Sequence, residues 1–229
     1  MKTLTLLTAA LLLSIVSIAQ NQEINEINVK APNYQNEIYA SINDLLNENV
    51  EYPEESKSAG LQGTEIIKFT VTTDGILKDY EVVNSVSREI DEEVIRVLEA
   101  TNGKWNPGTV NGNPVEMKTE ILLAFFTHSE ENMIRVAKQY KLKGNKLMYD
   151  KENPKRAIKA YDQAARILPN EESILVARIL CNYELEEFES AEQDYERLQD
   201  LAEQNPNKSG INLYADLDTF VKNMSTSAL

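Results

Sequence analysis

The sequence predicts an α+β fold: a small antiparallel β-sheet with helices on one face, followed by an all-α unit of helical repeats. Alternating apolar and polar residues separated by Gly- and Pro-containing turns occupy the stretch from Tyr52 to about Phe126. Beyond His128 the strand pattern stops, and helical periodicity continues to about Met224. A chain of 229 residues, 42% hydrophobic and 26% charged, is long and apolar enough for two modest domains.

The N-terminus has the features of a secretory signal peptide over residues 1–19. Lys2 precedes an apolar run, and Ser17-Ile18-Ala19 has the small-x-small pattern of a cleavage site. The run is shorter than the ~20 residues of a membrane-spanning helix, which favours a cleaved signal; an uncleaved signal that tethers the protein to the inner membrane is the alternative. Residues 20–36 are rich in Asn, Gln and Glu and are predicted to form a flexible lead-in.

The predicted sheet domain covers residues 37–126. It opens with an amphipathic helix over 37–47, and a half-buried strand over 64–72 follows. Asp74-Gly75 supplies residues that accept positive φ, so residues 77–84 are expected to return as the partner strand of a hairpin. Ser87 or Asp91 then starts a helix, and Trp105 is expected to pack where this helix meets the sheet.

The last strand of this domain is predicted over 115–126. Its alternation places six residues on one face: Val115, Met117, Thr119, Ile121, Leu123 and Phe125. A small open sheet leaves an edge strand with unpaired N–H and C=O groups, to which an extended peptide can add.

Short signals recur in a fixed order along this domain: Tyr52-Pro53, Gly60, Gly63, Asp74-Gly75, Trp105-Asn106-Pro107-Gly108, Asn111-Gly112 and Pro114-Val115. In this order they resemble the C-terminal domain of TonB, in the form found in Bacteroidetes-type energy transducer proteins. The resemblance covers about a third of the chain, and Gly60, Gly63, Trp105, Pro107 and Gly108 are interpreted as determinants of the fold rather than as ligand contacts.

The resemblance implies a partner and a site. TonB-like domains capture an N-terminal segment of outer-membrane TonB-dependent transporters along their last strand. The expected partner is therefore such a transporter or another envelope protein. TonB-like domains also exchange strands between chains, so a homodimer is a second possible arrangement. Carried over by position, the partner-binding edge strand comprises Val115, Glu116, Met117, Lys118, Thr119, Glu120, Ile121, Leu122 and Leu123. Lys118, Glu120 and Leu122 are expected to point outward.

Two features depart from a complete TonB transducer. The N-terminal apolar run contains no histidine, and no long Pro- and Lys-rich spacer follows it. Residues 20–36, fully extended, would span at most about 60 Å. The expectation is therefore an exported, periplasmic binding module of a Gram-negative bacterium that has no energy-coupling membrane anchor of its own.

The helical unit is predicted over 133–224 and contains an internal repeat at an offset of 34 residues. The corresponding pairs are Ala157 and Ala191, Tyr161 and Tyr195, and Tyr149 and Tyr183. The pattern resembles tetratricopeptide repeats, with Gly144 one position out of register. Two repeats are fewer than the three or so needed for a continuous core. The helical part is therefore expected to dock on the sheet domain or on a partner.

Charge gives the helical unit an alternative role. Residues 127–170 carry ten Lys and Arg against five Asp and Glu, whereas residues from Glu171 onward carry four against thirteen. A solvated surface is one interpretation; a groove that orients a charged partner is the other. In the second case the protein is an envelope scaffold, with Lys138, Lys141 and Lys146 as candidate groove residues.

Composition and motifs argue against nucleic-acid binding and catalysis. A net charge of −14 disfavours contact with phosphate backbones. His128 is the single histidine and Cys181 the single cysteine, so no zinc site is expected, and neither a phosphate-binding Gly-rich loop nor a nucleophile elbow occurs. The sequence predicts no enzyme, no cofactor, no metal and no small-molecule substrate, with Cys181 as a buried core residue.

Overall fold

The structure, a computed structural model, describes residues 27–34, 36 and 38–204. The predicted signal peptide and the end of the predicted helical unit lie outside the described residues. The first part of the chain contains β1 (Val29–Lys30), β2 (Asn33–Tyr34), α1 (Ile42–Asn49), α2 (Glu54–Ser58), β3 (Gly63–Val71), β4 (Leu77–Asn84), α3 (Arg88–Glu99), β5 (Trp105–Asn106), β6 (Gly108–Val110), β7 (Asn113–Val115) and β8 (Met117–Phe125).

The second part is helical, and the fold is α+β as the sequence predicts. Its elements are α4 (Glu130–Asn145), a π-helical segment (Lys146–Asp150), α5 (Pro154–Ile167), α6 (Glu172–Glu184) and α7 (Phe188–Gln204). These helices are called the helical unit below.

The main sheet has the strand order β4-β3-β8, with both pairings antiparallel. The β3–β8 ladder runs without interruption from Gly63 opposite Phe125 to Val71 opposite Met117. The β3–β4 ladder contains register shifts next to Ile67 and Lys68. The sheet therefore ends in two edge strands, β4 and β8, on either side of a fully paired β3.

Two smaller sheets join the N-terminal segment to the domain. β1 pairs with β6, β6 pairs with β7, and β2 pairs with β5. Both β1 and β2 lie inside the stretch 20–36 that the sequence predicts to be a flexible lead-in. Each strand is only two residues long, which is too short to show the alternation of apolar and polar residues that predicts a strand.

One face of the main sheet packs against α1 and α3 to form the largest core. Ile67 and Phe69 of β3 meet Leu46 of α1 and Leu98 of α3. Trp105 lies edge-on to Phe69, with ring centroids 5.2 Å apart. Its indole N–H donates to Thr101 Oγ1 at 2.9 Å, which gives this buried polar group the partner it needs.

Two local predictions are refined by the backbone. Ser87 is the N-cap of α3, where its hydroxyl accepts from the Ile90 N–H, so the helix begins at Arg88 rather than after Asp91. In the β3–β4 loop Gly75 has φ of +75°, whereas Asp74 keeps an ordinary negative φ. The hairpin loop is therefore wider than a two-residue turn, and it is closed by Thr72 N–H donating to the Ile76 carbonyl at 2.9 Å.

The opposite face of the main sheet is covered in part by the helical unit. Thr64 Oγ1 donates to the Ile167 carbonyl at 2.9 Å, and Lys68 pairs with Asp200 at 2.6 Å. Gly63 allows α5 this close approach, because a Cβ there would lie 2.6 Å from the Arg166 carbonyl oxygen. These contacts agree with the prediction that the helical part docks on the sheet domain.

Within the helical unit, successive helices pack on each other, α4 on α5, α5 on α6 and α6 on α7. Four of the residues in the 34-residue repeat are buried: Ala157, Ala191, Tyr161 and Tyr195. Gly144 lies against the ring of Tyr161, where a Cβ would collide with the ring carbons. Tyr149 is exposed. The assignment of these helices to the tetratricopeptide class stays a prediction.

Cys181 is fully buried and contacts the Pro154 carbonyl through its Sγ at 3.4 Å. Burial raises the pKa of the thiol to about 11, so the thiol stays protonated at neutral pH. The prediction that Cys181 is a core residue is confirmed.

Candidate functional site

β8 offers an open edge on the side that faces away from β3. All the backbone pairing of β8 runs to β3. Among the described residues, no other hydrogen bond involves a backbone group of β8. Its outer row of N–H and C=O groups is therefore available to an added strand. In the described part of the chain, neither the helical unit nor α1 forms a backbone hydrogen bond with this edge.

The structure corrects the extent of the predicted strand. Val115 pairs with Gly108 in the small β6–β7 hairpin, and Glu116 lies between the two strands and binds Lys78 Nζ at 2.9 Å. The predicted strand over 115–126 is therefore two strands. The break arises because Asn111 and Gly112, both at positive φ, fold β7 back on β6, which belongs to a different sheet from β3. Val115 and Glu116 lie outside the open edge; the remaining seven predicted residues lie in it: Met117, Lys118, Thr119, Glu120, Ile121, Leu122 and Leu123.

The two faces of β8 meet different parts of the protein. Ile121, Leu123 and Phe125 are buried in the core with α1 and α3. The alternate residues face the helical unit, because successive side chains of a strand point to opposite faces. Of these, Lys118 and Ala124 are exposed, and Leu122 is 40% exposed. Lys118 and Leu122 thus point outward as the sequence predicts.

Glu120 does not point freely outward. Arg197 in α7 donates to both of its carboxylate oxygens, through Nη1 at 2.7 Å and Nη2 at 3.0 Å. The same guanidinium donates to Asn170 Oδ1 in the loop between α5 and α6. The side chains of Arg197 and Glu120 are only 6% and 14% exposed. This charge-assisted, bidentate contact occupies Glu120 and fixes α7 and the α5–α6 loop against β8.

An apolar cleft of about 390 Å³ lies beside Leu122, between β8 and the helical unit. We call it the large cleft. Leu122 and Ala124 lie on its sheet side together with Thr64, and its helical side includes the apolar residues Met133, Ile134, Ile167 and Leu168. Glu130 and Glu171 also line it and give it a negative character. Because Leu122 remains exposed here, α4 does not close onto the edge strand.

A smaller cleft of about 160 Å³ lies on the opposite face of the sheet, next to the same part of β8. We call it the small cleft. Leu123 and Phe125 of β8 line it, together with Leu46, Val50 and Tyr52. Tyr52 packs edge-on to Phe125, with ring centroids 5.3 Å apart, and donates its hydroxyl to the Leu61 carbonyl. The end of β8 is therefore flanked on each face by a cleft that is lined mainly by apolar residues.

The three candidate groove lysines are not equivalent. Lys138 in α4 and Lys146 at the start of the π-helical segment are exposed. Lys141 is half-buried and donates to Ser173 Oγ at 2.6 Å, which links α4 to the start of α6. Lys138 and Lys141 are three residues apart on one helix and so share a face. Lys141 is already engaged within the protein.

A charge cluster links α5, α6 and α7, and two of its residues, Arg178 and Asp194, line a cleft that they share with β4. Arg178 Nε lies 3.2 Å from Asp194 Oδ2 and 3.4 Å from Asp162 Oδ1, as ion pairs by distance. The Nε and Oδ2 atoms lack hydrogen-bond geometry. Burial raises the pKa of Asp194 to about 6, although Arg178 opposes the shift. The cluster holds the helices together, with no free base or nucleophile at its centre.

Glu65 is a fully buried carboxyl on β3. Its Oε2 accepts from the Val86 N–H at 3.0 Å, while Oε1 has no hydrogen-bond partner among the described residues. Burial raises the pKa of Glu65 to about 8, and the nearby Asp91 adds to the shift. Although such a carboxyl is often catalytic, this one lies in the sheet core and is not exposed to a cleft.

Sequence reasoning missed Arg197, the large cleft and the small cleft. Each of them joins residues more than seventy positions apart in the chain, for example Glu120 with Arg197. The only sequence signal was the arginine itself, one of four basic residues in an acidic stretch. Across the described residues, no group of three or more His, Cys, Asp or Glu side chains could hold a metal ion.

Two comparisons with known proteins found similar sequences or structures. Residues 48–126 match the family model of the Gram-negative bacterial TonB protein C-terminal domain. One similar solved structure is the solution structure of the TonB C-terminal domain of Helicobacter pylori. It shares 19% identity, covers 38% of this chain and 92% of that one, and superposes with a TM-score of 0.30. No curated protein matches the chain.

None of the described helices has the length and apolar character needed to cross a membrane. The family match covers about a third of the chain and ends at residue 126, before the helical unit begins at Glu130. Residues 48–126, which contain the whole β4-β3-β8 sheet and its open edge, are thus similar to the C-terminal domain of Gram-negative TonB proteins.

Proposed function

We propose that this protein is a non-catalytic protein-binding module of the Gram-negative cell envelope. In this proposal it captures an extended segment of a partner by adding it as a strand to β8. One observation carries the proposal: β8 is an edge strand with a free outer side, and it lies in the segment that matches the TonB C-terminal model.

Strand addition suits the chemistry of this edge. Each main-chain hydrogen bond contributes only about 0.5–1.5 kcal/mol net. Part of that gain is offset by the loss of translational and conformational freedom on binding. The nine residues of Met117–Phe125 can therefore support moderate, reversible affinity, with side-chain contacts adding selectivity. A reversible contact is what a module that engages and releases a transporter requires.

The partner we propose is an outer-membrane TonB-dependent transporter or a related envelope protein. The protein would act in the periplasm after export by its N-terminal signal. It would be a Bacteroidetes-type relative of TonB, with tetratricopeptide-like repeats after the sheet domain. Its net charge of −14 argues against nucleic acid as a partner.

The test is a titration of the chain from Gln20 to Leu229 with N-terminal peptides of such transporters, followed by backbone amide NMR. Shifts concentrated on Met117–Phe125 are expected, with little change on β4, the opposite edge. Two versions of a binding peptide, N-methylated at alternate backbone nitrogens, serve as matched ligands. Only the version that blocks the N–H groups facing β8 should lose affinity. Unchanged β8 amides would reject the proposal.

An envelope scaffold that binds through the helical groove is the second candidate. The exposed Lys138 and Lys146 and the net positive charge of residues 127–170 favour it. Reversing Lys138, Lys141 and Lys146 to Glu should remove partners from an envelope pull-down if the groove binds them. If the β8 edge binds them, the same partners should remain. A homodimer joined through β8 would instead appear as concentration-dependent association in sedimentation equilibrium.

A further inference from the structure

We infer that the recognition site is composite: the helical unit and the sheet domain each contribute a pocket that reads one of two adjacent apolar side chains of the strand added to β8. This inference rests on the proposed function. It goes further by stating what the partner segment contains and by giving the helical unit a direct part in binding it.

The positions of the two clefts lead to this inference. The large cleft is lined by Leu122 and Ala124, and the small cleft by Leu123 and Phe125. They therefore flank the same stretch of β8 from opposite faces. In an antiparallel pair, the Cβ atoms of two residues directly opposite each other on one face lie about 4.5–5.5 Å apart. Side chains of an added strand opposite residues 122–125 would therefore reach the two clefts.

Alternation along a strand then fixes the ligand pattern. Neighbouring residues of a strand point to opposite faces, so one residue of the added strand would enter the large cleft and the next would enter the small cleft. Most of the residues that line each cleft are apolar, and the large cleft has the greater volume. The fitting segment has two adjacent apolar residues, the bulkier of which faces the helical unit.

Charge restricts the flanking residues. Glu130 and Glu171 line the large cleft, and the helical unit offers no basic residue among its lining. An acidic residue of the partner two positions from the bulky apolar one lies on the same face of the strand and would be repelled, whereas a basic or neutral one there would be accepted. The occupant is therefore an extended segment with two adjacent apolar residues and no carboxylate two positions from the bulkier one.

Two contacts hold the far wall of the large cleft in place. Arg197 ties Asn170 to Glu120, and Thr64 binds the Ile167 carbonyl. Thr64 is paired with Ala124, so the two contacts lie on either side of Leu122 along the strand. The segment from Ile167 to Asn170 is thereby positioned beside the exposed Leu122 without closing over it. Preorganised walls of this kind lower the entropic penalty of binding.

The test uses fluorescence polarisation with a set of labelled threonine-rich octapeptides. The central two residues are Leu-Val, Leu-Ser, Ser-Val or Ser-Ser, and one further peptide places Glu directly after Leu-Val, two positions from Leu and on the same face of the strand. We expect the Leu-Val peptide to bind most tightly, and each single replacement by Ser or the added Glu to weaken binding at least fivefold. Equal affinity across the set would overturn the inference.

Protein variants separate pocket reading from strand addition. Ile134→Lys in α4 and Leu122→Lys in β8 each place a charge in the large cleft and should weaken Leu-Val binding at least tenfold. Two matched controls should leave it unchanged: Leu142→Lys, exposed on the same helix, and Val82→Lys, exposed on the opposite edge strand. Circular dichroism verifies that each variant is folded.

The outcomes distinguish this inference from the proposed function. If transporter peptides bind β8 but Ile134→Lys and Leu122→Lys bind them normally, the composite site is wrong and strand addition stands. If neither peptide set shifts the β8 amides, both fail. If a second copy of the chain fills the edge, the wild type dimerises and the peptides do not compete, which also overturns the inference.

Discussion

Arg197 in α7 donates two hydrogen bonds to the carboxylate of Glu120 in β8, and both side chains are largely buried. This pair joins the last described helix to the edge strand proposed to bind partners. The helical unit is thus a fixed neighbour of the edge strand rather than a freely tumbling appendage. Changes at this contact should therefore affect both stability and the shape of the large cleft.

Arg197→Leu should destabilise the protein by about 3 kcal/mol, because it leaves the buried Glu120 carboxylate without its partner. The double variant Glu120→Leu/Arg197→Leu should recover most of that loss, since the uncompensated charge is removed. Urea unfolding of the wild type, the two single variants and the double variant measures the coupling. Lys78→Leu is the matched control: its pair with Glu116 is exposed, so its loss should cost far less than the loss of the buried pair. Additive single effects would contradict a coupled buried pair.

Stability should fall as the pH rises from about 5 to about 8. The folded state raises the pKa of Glu65 to about 8 and that of Asp194 to about 6, above their ordinary values of 4.5 and 3.8. The folded protein therefore holds these protons more tightly than the unfolded chain, and its stability decreases as they are lost. Thermal unfolding over this pH range measures the trend.

Glu65→Gln should flatten that dependence and raise stability at pH 8 by on the order of 2 kcal/mol, since an amide needs no proton uptake on folding and can still accept from the Val86 N–H. Glu81→Gln, at an exposed position on β4, is the control and should leave the slope unchanged. A wild-type Tm that stays constant between pH 5 and pH 8 would contradict the predicted loss of stability through deprotonation of Glu65.

Gly144→Ala should destabilise the helical unit by about 1–2 kcal/mol. Alanine in a helix is favoured over glycine by about 1 kcal/mol. The added Cβ, however, would collide with the buried ring of Tyr161, whose hydroxyl is held by Asn145 at 2.9 Å. Overpacking of this kind costs about 1–3 kcal/mol and outweighs the gain. In a Tyr161→Leu background the same change should be neutral or stabilising, which urea unfolding can establish.

Cys181 should resist alkylation in the folded protein. Burial keeps its thiol protonated and inaccessible, so iodoacetamide should react at least a hundredfold more slowly than in urea. As a control, Ser129→Cys in a Cys181→Ala background places the thiol at an exposed position and should react at the ordinary rate. Mass spectrometry of timed aliquots gives both rates. Equal rates would mean that the α5–α6 packing opens readily.

Local signals predicted much of the sheet domain. Alternation identified β3 and β8, Ser87 capped α3 as one of the two expected starts, and Trp105 packed between α3 and the sheet with a partner for its N–H. These features depend on residues close together in the chain, where periodicity and capping act directly. The break at Glu116 was missed because strand alternation continues through it, while its pairing partners change.

The candidate site was predicted less completely than the fold. The edge character of β8 followed from the family resemblance, and seven of its nine predicted residues lie on the open edge. The two clefts that flank it could not be foreseen, since Ile134, Ile167 and Leu168 read as ordinary core positions of helices. Apolar periodicity predicts which face of a helix is buried, but it does not predict which other element that face packs against.

The sequence alone predicted the β3–β4 hairpin, the helix α3 with Ser87 as one of two possible starts, the strand β8 and the similarity of residues 48–126 to a TonB C-terminal domain. Only the tertiary structure decided where β8 begins, that Arg197 reaches Glu120, and that helices and strand share one cleft. The reason is physical: hydrogen bonding and periodicity act between near neighbours in the chain, whereas burial and charge pairing select partners by distance in space.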